Sequence, residues 1–116
     1  MWTYRQIDGE LMHNDEFIGT GYSGRDEGRD NPDMEAVPNV GPIPRGRYSI
    51  GPSHTSDRTG PITMDLEPIG HDACGRSDFR IHGDNTNHDA SHGCIILGRP
   101  IRNEIAASGD TELEVI

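Results

Sequence analysis

Fifteen glycines and eight prolines are spread through these 116 residues, standing between short apolar clusters rather than gathering in one tract. Gly and Pro interrupt regular structure every few residues, so long helices are excluded and many short strands joined by turns are favoured. Leu, Ile, Val and Phe total only 21 residues, which with a net charge of −10 lies near the compositional border of disorder. The even spread of the apolar clusters argues instead for a small, loop-rich, mainly β domain of modest stability.

Alternation from Trp2 to Ile7 reads as a strand, Asp8-Gly9 as a tight turn, and Leu11-Met12 and Phe17-Ile18 as the next two strands. Gly19 to Gly28 is expected to be an irregular loop carrying Tyr22 and Ser23. Pro32, Pro38, Pro42 and Pro44 keep residues 31–44 extended, and the stiff turn Gly41–Gly46 feeds a strand at Arg47–Ile50. A polar loop over Pro52–Gly60 precedes an alternating strand through Ile62, Met64 and Leu66, and a second loop, Pro68–Ser77, holds Cys74. Short strands follow at Phe79–Ile81 and at Ile95–Leu97. One helix opens at Pro100, sets Ile101 and Ile105 on one face and stops at Ser108-Gly109, before a last strand at Leu113–Ile116.

At 12.7 kDa the chain is expected to form one domain, residues 1–116. Ten basic against twenty acidic residues disfavour nucleic acid and anionic membrane surfaces as partners. No run approaches the roughly 20 apolar residues of a membrane span, so no membrane insertion is expected, and the start MWTYRQIDGE lacks the pattern of a secretory signal. Two cysteines permit one disulfide, or one reactive and one incidental thiol.

The chemistry concentrates in Phe79-Arg80-Ile81-His82-Gly83-Asp84 and Ser91-His92-Gly93-Cys94-Ile95. A histidine ends one short strand and a cysteine begins the next, the pairing of thiol and base that nucleophilic catalysis requires. Gly93 lets the backbone bend beside the thiol, and the N–H groups around Gly93 and Cys94 are candidate oxyanion donors. Two other readings stand on the same residues: a binding module in which Cys94 is incidental, and a zinc site drawn from His71, His82, His88, His92, Asp84, Asp89 and Cys94, whose spacings match no common zinc pattern.

Ser91-His92-Gly93-Cys94 preceded by His82-Gly83 resembles the signature of L,D-transpeptidase catalytic domains, cysteine enzymes that act on peptidoglycan stem peptides. The segments Trp2-Thr3-Tyr4, Gly21-Tyr22-Ser23-Gly24, Gly41 to Ile50 and Phe79 to Asp84, with Arg102, are closer to the L,D-transpeptidase-like toxin domains delivered by type VI secretion systems. The gap between His82 and Ser91 is short, and Ile96 stands where cross-linking enzymes carry an arginine; Arg99 and Arg102 are the candidate replacements. The resemblance implies a small β-sandwich or twisted sheet with one short C-terminal helix.

It also implies a set of roles. Cys94 would be the nucleophile, His82 the general base, and Ser91, His92 and Gly93 the shapers of the nucleophile loop. Tyr22, Asp84 and Arg102 are the expected substrate contacts, and Asp84 or Asp89 the expected partner of the His82 ring. The implied reaction is trimming of a tetrapeptide stem or exchange of its D-alanine through a thioester, with no cofactor and no metal. The implied setting is a toxin delivered by a dedicated machine to a target periplasm, opposed by a cognate immunity protein.

Overall fold

Trp2 and Tyr4 point to one side of strand β1 (Trp2–Tyr4) and are wholly buried, while Thr3 between them is half-buried. The same period of two recurs along the chain and assembles one mainly β sheet, as read from the computed structural model, which describes residues 1–116. The other strands are β2 (Glu10–His13), β3 (Glu16–Thr20), β4 (Tyr22–Ser23), β5 (Gly46–Ile50), β6 (His54–Ser56), β7 (Gly60–Ile69), β8 (Phe79–His82), β9 (Ile95–Ile96) and β10 (Glu112–Val115). Their order is β3-β2-β1-β10-β5-β7-β8-β9-β4, with β6 paired to β7. The outermost strands of that path, β3 and β4, are joined by Gly21 alone, so the sheet has to curl back on itself until it nearly closes. A side chain at Gly21 would collide with the Ile96 carbonyl, and one at Gly9 with Gly21, so the seam is a place where backbones touch.

Sixteen buried apolar residues form a single core inside the curl, among them Trp2, Tyr4, Tyr48, Met64, Phe79, Ile81, Ile95 and Leu113. Helix α1 (Arg99–Ser108) begins with Pro100 in its first turn, ends at Gly109 in the left-handed conformation (φ 72°), and adds Ile105 to the core.

Four local expectations change. The segment Gly19–Gly28 is not wholly irregular, because Tyr22 and Ser23 bury against Ile95 and Ile96 as strand β4. The polar stretch 52–60 contributes β6, half of a hairpin with β7. Strand β7 runs well beyond 62–66, and its two prolines, Pro61 and Pro68, stand next to its ends, where a missing donor costs least. Residues 31–44 are not extended throughout: a short 3-10 turn over Pro32–Met34, where the Asn31 side chain accepts the Asp33 N–H, runs into further turns closed by Val37 N–H to Met34 and Gly41 N–H to Val37, and only residues 42–44 fit the expectation.

Candidate active site

The pairing of β8 with β9 decides where the reactive side chains go. These strands run parallel, with Ile81 opposite Ile95 and His82 opposite Ile96. Ile81 and Ile95 point into the core, so strand parity turns Arg80, His82 and, one residue before β9, Cys94 to the outer face. There His82 and Cys94 line one cleft of about 340 Å³ together with Arg58, Thr59, Asp78 and His92.

His82 is 4% exposed, and its Nδ1 lies 2.8 Å from the Gly83 carbonyl. A carbonyl only accepts, so Nδ1 carries the proton and Nε2 is left as the basic nitrogen. Burial lowers the His82 pKa, the charges of Arg102 and Arg80 act in the same direction, and the Gly83 hydrogen bond opposes them. Burial raises the Cys94 thiol, opposed by the Arg80 backbone N–H and by the charges of Arg80, Arg58 and Arg76. The resting pair is therefore neutral thiol and neutral imidazole. The expected carboxylate partner of His82 gives way to the Gly83 carbonyl. Asp84 instead accepts from the Tyr22 hydroxyl at 2.6 Å and meets His88 Nδ1 at 2.9 Å, and Asp89 accepts from the Asn85 amide.

The Cys94 loop hangs on Ser91, which is fully buried. Its hydroxyl donates to the Cys94 carbonyl (2.6 Å) and accepts from the Gly24 and Gly93 N–H groups (2.8 and 3.1 Å). The Gly93 N–H is thus occupied, which corrects the expectation that it serves an oxyanion, and the Cys94 N–H remains as the donor next to the thiol. Gly93 adopts φ 128°, and a side chain there would collide with the Arg76 guanidinium. His92 is exposed and its Nε2 faces Arg25 Nη1 at 3.1 Å, so its ring stands on the rim rather than against the thiol.

The expected substrate contacts gather beside the Cys94 cleft, and Asp84 also lines the cavity that holds His82. Tyr22, Asp84 and Arg102 share a neighbouring shallow depression of about 320 Å³, and none of the three lines the Cys94 cleft. The Tyr22 hydroxyl is taken up by Asp84 and by the Ala90 N–H, and burial pushes its pKa up to about 12. Arg102 is buried and donates to the carbonyls of Leu97, Pro61 and Ile62, tying the helix to β7. It is a clamp in the fold, and Arg99, outside the Cys94 cleft, does not supply the missing cation either.

The cation behind the Cys94 turn is Arg76, which sequence reasoning missed. Its guanidinium donates to the carbonyls of Glu35, Pro42, Gly41 and His92, so it braces the Gly93 turn from beneath. Ser23 was also passed over as a site residue. Its hydroxyl donates to the Gly93 carbonyl and accepts the Ile43 N–H, linking the Cys94 turn to the turn that opens at Gly41. Nothing local in Gly75-Arg76-Ser77 signals the Arg76 role, because all its partners are distant in sequence.

Cys74 and Cys94 are free thiols. No group of three or more His, Cys, Asp or Glu side chains converges as a metal site, so the residues weighed for zinc do not come together. His71 is held at the Arg47 carbonyl, His88 at Asp84 and His92 at Arg25, too dispersed to form one.

No curated protein matches the chain. The family model of the Tlde1 domain matches residues 18–114, from β3 to β10, a span that contains Arg58, Arg76, His82, Ser91 and Cys94. Such domains point to type VI secretion effectors, which are toxins. With most of its length covered by that match, the chain belongs to the Tlde1 domain family.

Proposed function

We propose that this domain is an L,D-transpeptidase-like cysteine enzyme that acts on the tetrapeptide stems of peptidoglycan in a target periplasm. The observation that carries the reading is the shared cleft in which His82, with its Nδ1 engaged by Gly83, stands beside Cys94. In the proposed step Cys94 Sγ attacks the carbonyl of the L-configured centre of diaminopimelate, and His82 Nε2 takes the thiol proton as the S–C bond forms. The Cys94 N–H stabilises the tetrahedral oxyanion. Collapse breaks the C–N bond, His82 returns its proton to the departing amine, and D-alanine leaves behind a thioester.

Water attacking that thioester gives a tripeptide, and the amine of a free D-amino acid gives exchange. Both are favoured over cross-linking, because the cleft is small and Ile96 stands where cross-linking enzymes carry an arginine. A neutral resting pair suits this sequence, since the base must be unprotonated when the thiol is engaged. Damage of this kind to a cell wall is consistent with a toxin, and a producer would then need an immunity protein.

The test is incubation of the protein with purified disaccharide tetrapeptide, with and without added D-amino acid, read by mass spectrometry. Loss or replacement of D-alanine by the wild type, absent in both Cys94→Ala and His82→Ala, is the expected result. Unchanged tetrapeptide from folded wild-type protein overturns the proposal and leaves a binding module.

A further inference from the structure

All ten basic side chains of this chain are arginines, and those nearest the cleft differ in what they already hold. Arg76 is bonded to four carbonyls. Arg80 is paired with Asp65 and donates to Ser56 Oγ. Arg25 is shared between His92 and Asp26. Arg58, in the Asp57–Thr59 turn of the β6–β7 hairpin, is exposed and its guanidinium has no hydrogen bond or ion pair; only its backbone N–H is used, on Ser56 Oγ. It nevertheless lines both the Cys94 cleft and the adjoining cavity of about 400 Å³ that shares His82. Its charge is near enough to draw the buried thiol downward.

An unpaired guanidinium beside a nucleophile, in a chain of net charge −10, is a ready receptor for a carboxylate. The stem peptide that the proposed reaction attacks ends in such a group, one residue beyond the scissile carbonyl. Building on the proposed function, we infer that Arg58 binds the terminal carboxylate of the leaving D-residue and thereby restricts the enzyme to the free ends of stems. In exchange the same contact seats the carboxylate of the incoming D-amino acid, leaving its amine to attack the thioester. Arg58 is thus a specificity-determining residue supplied by a hairpin and not by the strand that carries the nucleophile.

The experiment compares two synthetic tetrapeptide stems, one ending in D-alanine and one in D-alanine amide, by kcat/KM. Wild type is expected to prefer the acid by about ten- to a hundredfold, the range of one charge-assisted hydrogen-bonded pair. Arg58→Ala is expected to lose that preference chiefly through KM, and Arg58→Lys to keep part of it. An acid preference retained in Arg58→Ala overturns the inference while leaving the enzyme reading intact. If wild type turns over neither peptide, the enzyme reading fails, and binding to Cys94→Ala by calorimetry decides the role of Arg58. Tighter binding of the acid, abolished by the added Arg58→Ala change, supports a carboxylate site; equal or absent binding overturns it.

Discussion

Residues 92–94 and residues 58–59 line the same cleft and are held in opposite ways. On one side, Ser91, Ser23 and Arg76 fix the Cys94 turn through hydrogen bonds to the carbonyls of His92, Gly93 and Cys94 and to the Gly93 N–H. On the other, the hairpin turn is exposed and is held mainly by bonds from Arg58 N and Thr59 N to Ser56 Oγ, both 3.2 Å. A nucleophile needs its trajectory fixed to a fraction of an ångström, so its supports converge. A side chain that meets a flexible charged peptide gains from reach and needs only charge and access. The two walls therefore differ in how much of the fold depends on them.

The largest effect is expected at Arg76. Arg76→Ala strands four carbonyl acceptors beneath the Gly93 turn, and losing such a buried charged donor costs about 3 kcal/mol or more, a large share of the ~5–15 kcal/mol available to a domain. Urea denaturation measures it. A loss below about 1 kcal/mol would break the contrast between the walls, since surface changes commonly cost that little.

Ser91→Ala comes next. It removes one acceptor shared by the Gly24 and Gly93 N–H groups and one donor to the Cys94 carbonyl, at about 2–3 kcal/mol. The folded variant is expected to keep its thiol but lose most activity, because the turn that aims Cys94 is no longer tied. Full activity in a destabilised Ser91→Ala protein would show that the bonds serve stability alone.

How much of this was legible in the sequence depends on the range of the interaction. Strand parity at Phe79–His82, the Pro100 helix start and the turn at Gly109 are local signals, and each led to the element observed. That His82 and Cys94 line one cleft was legible for the same reason, since His82 ends β8 and Cys94 directly precedes its neighbour β9. Arg76 and Arg102 were not, because both are defined by carbonyls some 40 residues away, for example Glu35 and Pro61. The strand at Tyr22 was not legible because the glycines around it read as an irregular loop, whereas closure of the sheet at Gly21 pairs it with Ile96 and buries it.

The wall that carries Cys94 also has an acid sensitivity, which comes from Glu35. Glu35, whose backbone carbonyl holds Arg76, pairs through its carboxylate with Arg45, and hydrogen bonds from Arg45 and Gln6 lower its pKa from the ordinary 4.5 to about 2 despite partial burial. A depressed folded-state pKa means that the unfolded chain binds the proton first. The stability from this carboxylate is complete above about pH 4.5 and is lost as the pH falls towards 2. Glu35→Gln should flatten the stability profile over that window by lowering the plateau above it. An unchanged slope in denaturation series from pH 5 to pH 2 would remove Glu35 from the bracing of this wall.

The smallest effect is expected across the cleft. Arg58→Ala removes an exposed, unpaired side chain and should change stability by no more than about 0.5 kcal/mol, the ordinary range for such surfaces. It also removes one of the charges that oppose burial at Cys94, so the thiol pKa should rise further. The rate of alkylation by iodoacetamide against pH reports this as a midpoint displaced upward, while the melting temperature stays in place. A melting temperature that falls as far as in Ser91→Ala would mean that the hairpin bears on the fold as the nucleophile turn does, and the division between a fixed wall and a recognising one would fail. A stable variant whose alkylation profile does not move would place the Arg58 charge too far from the thiol to act on it, leaving substrate recognition as its sole effect in the cleft.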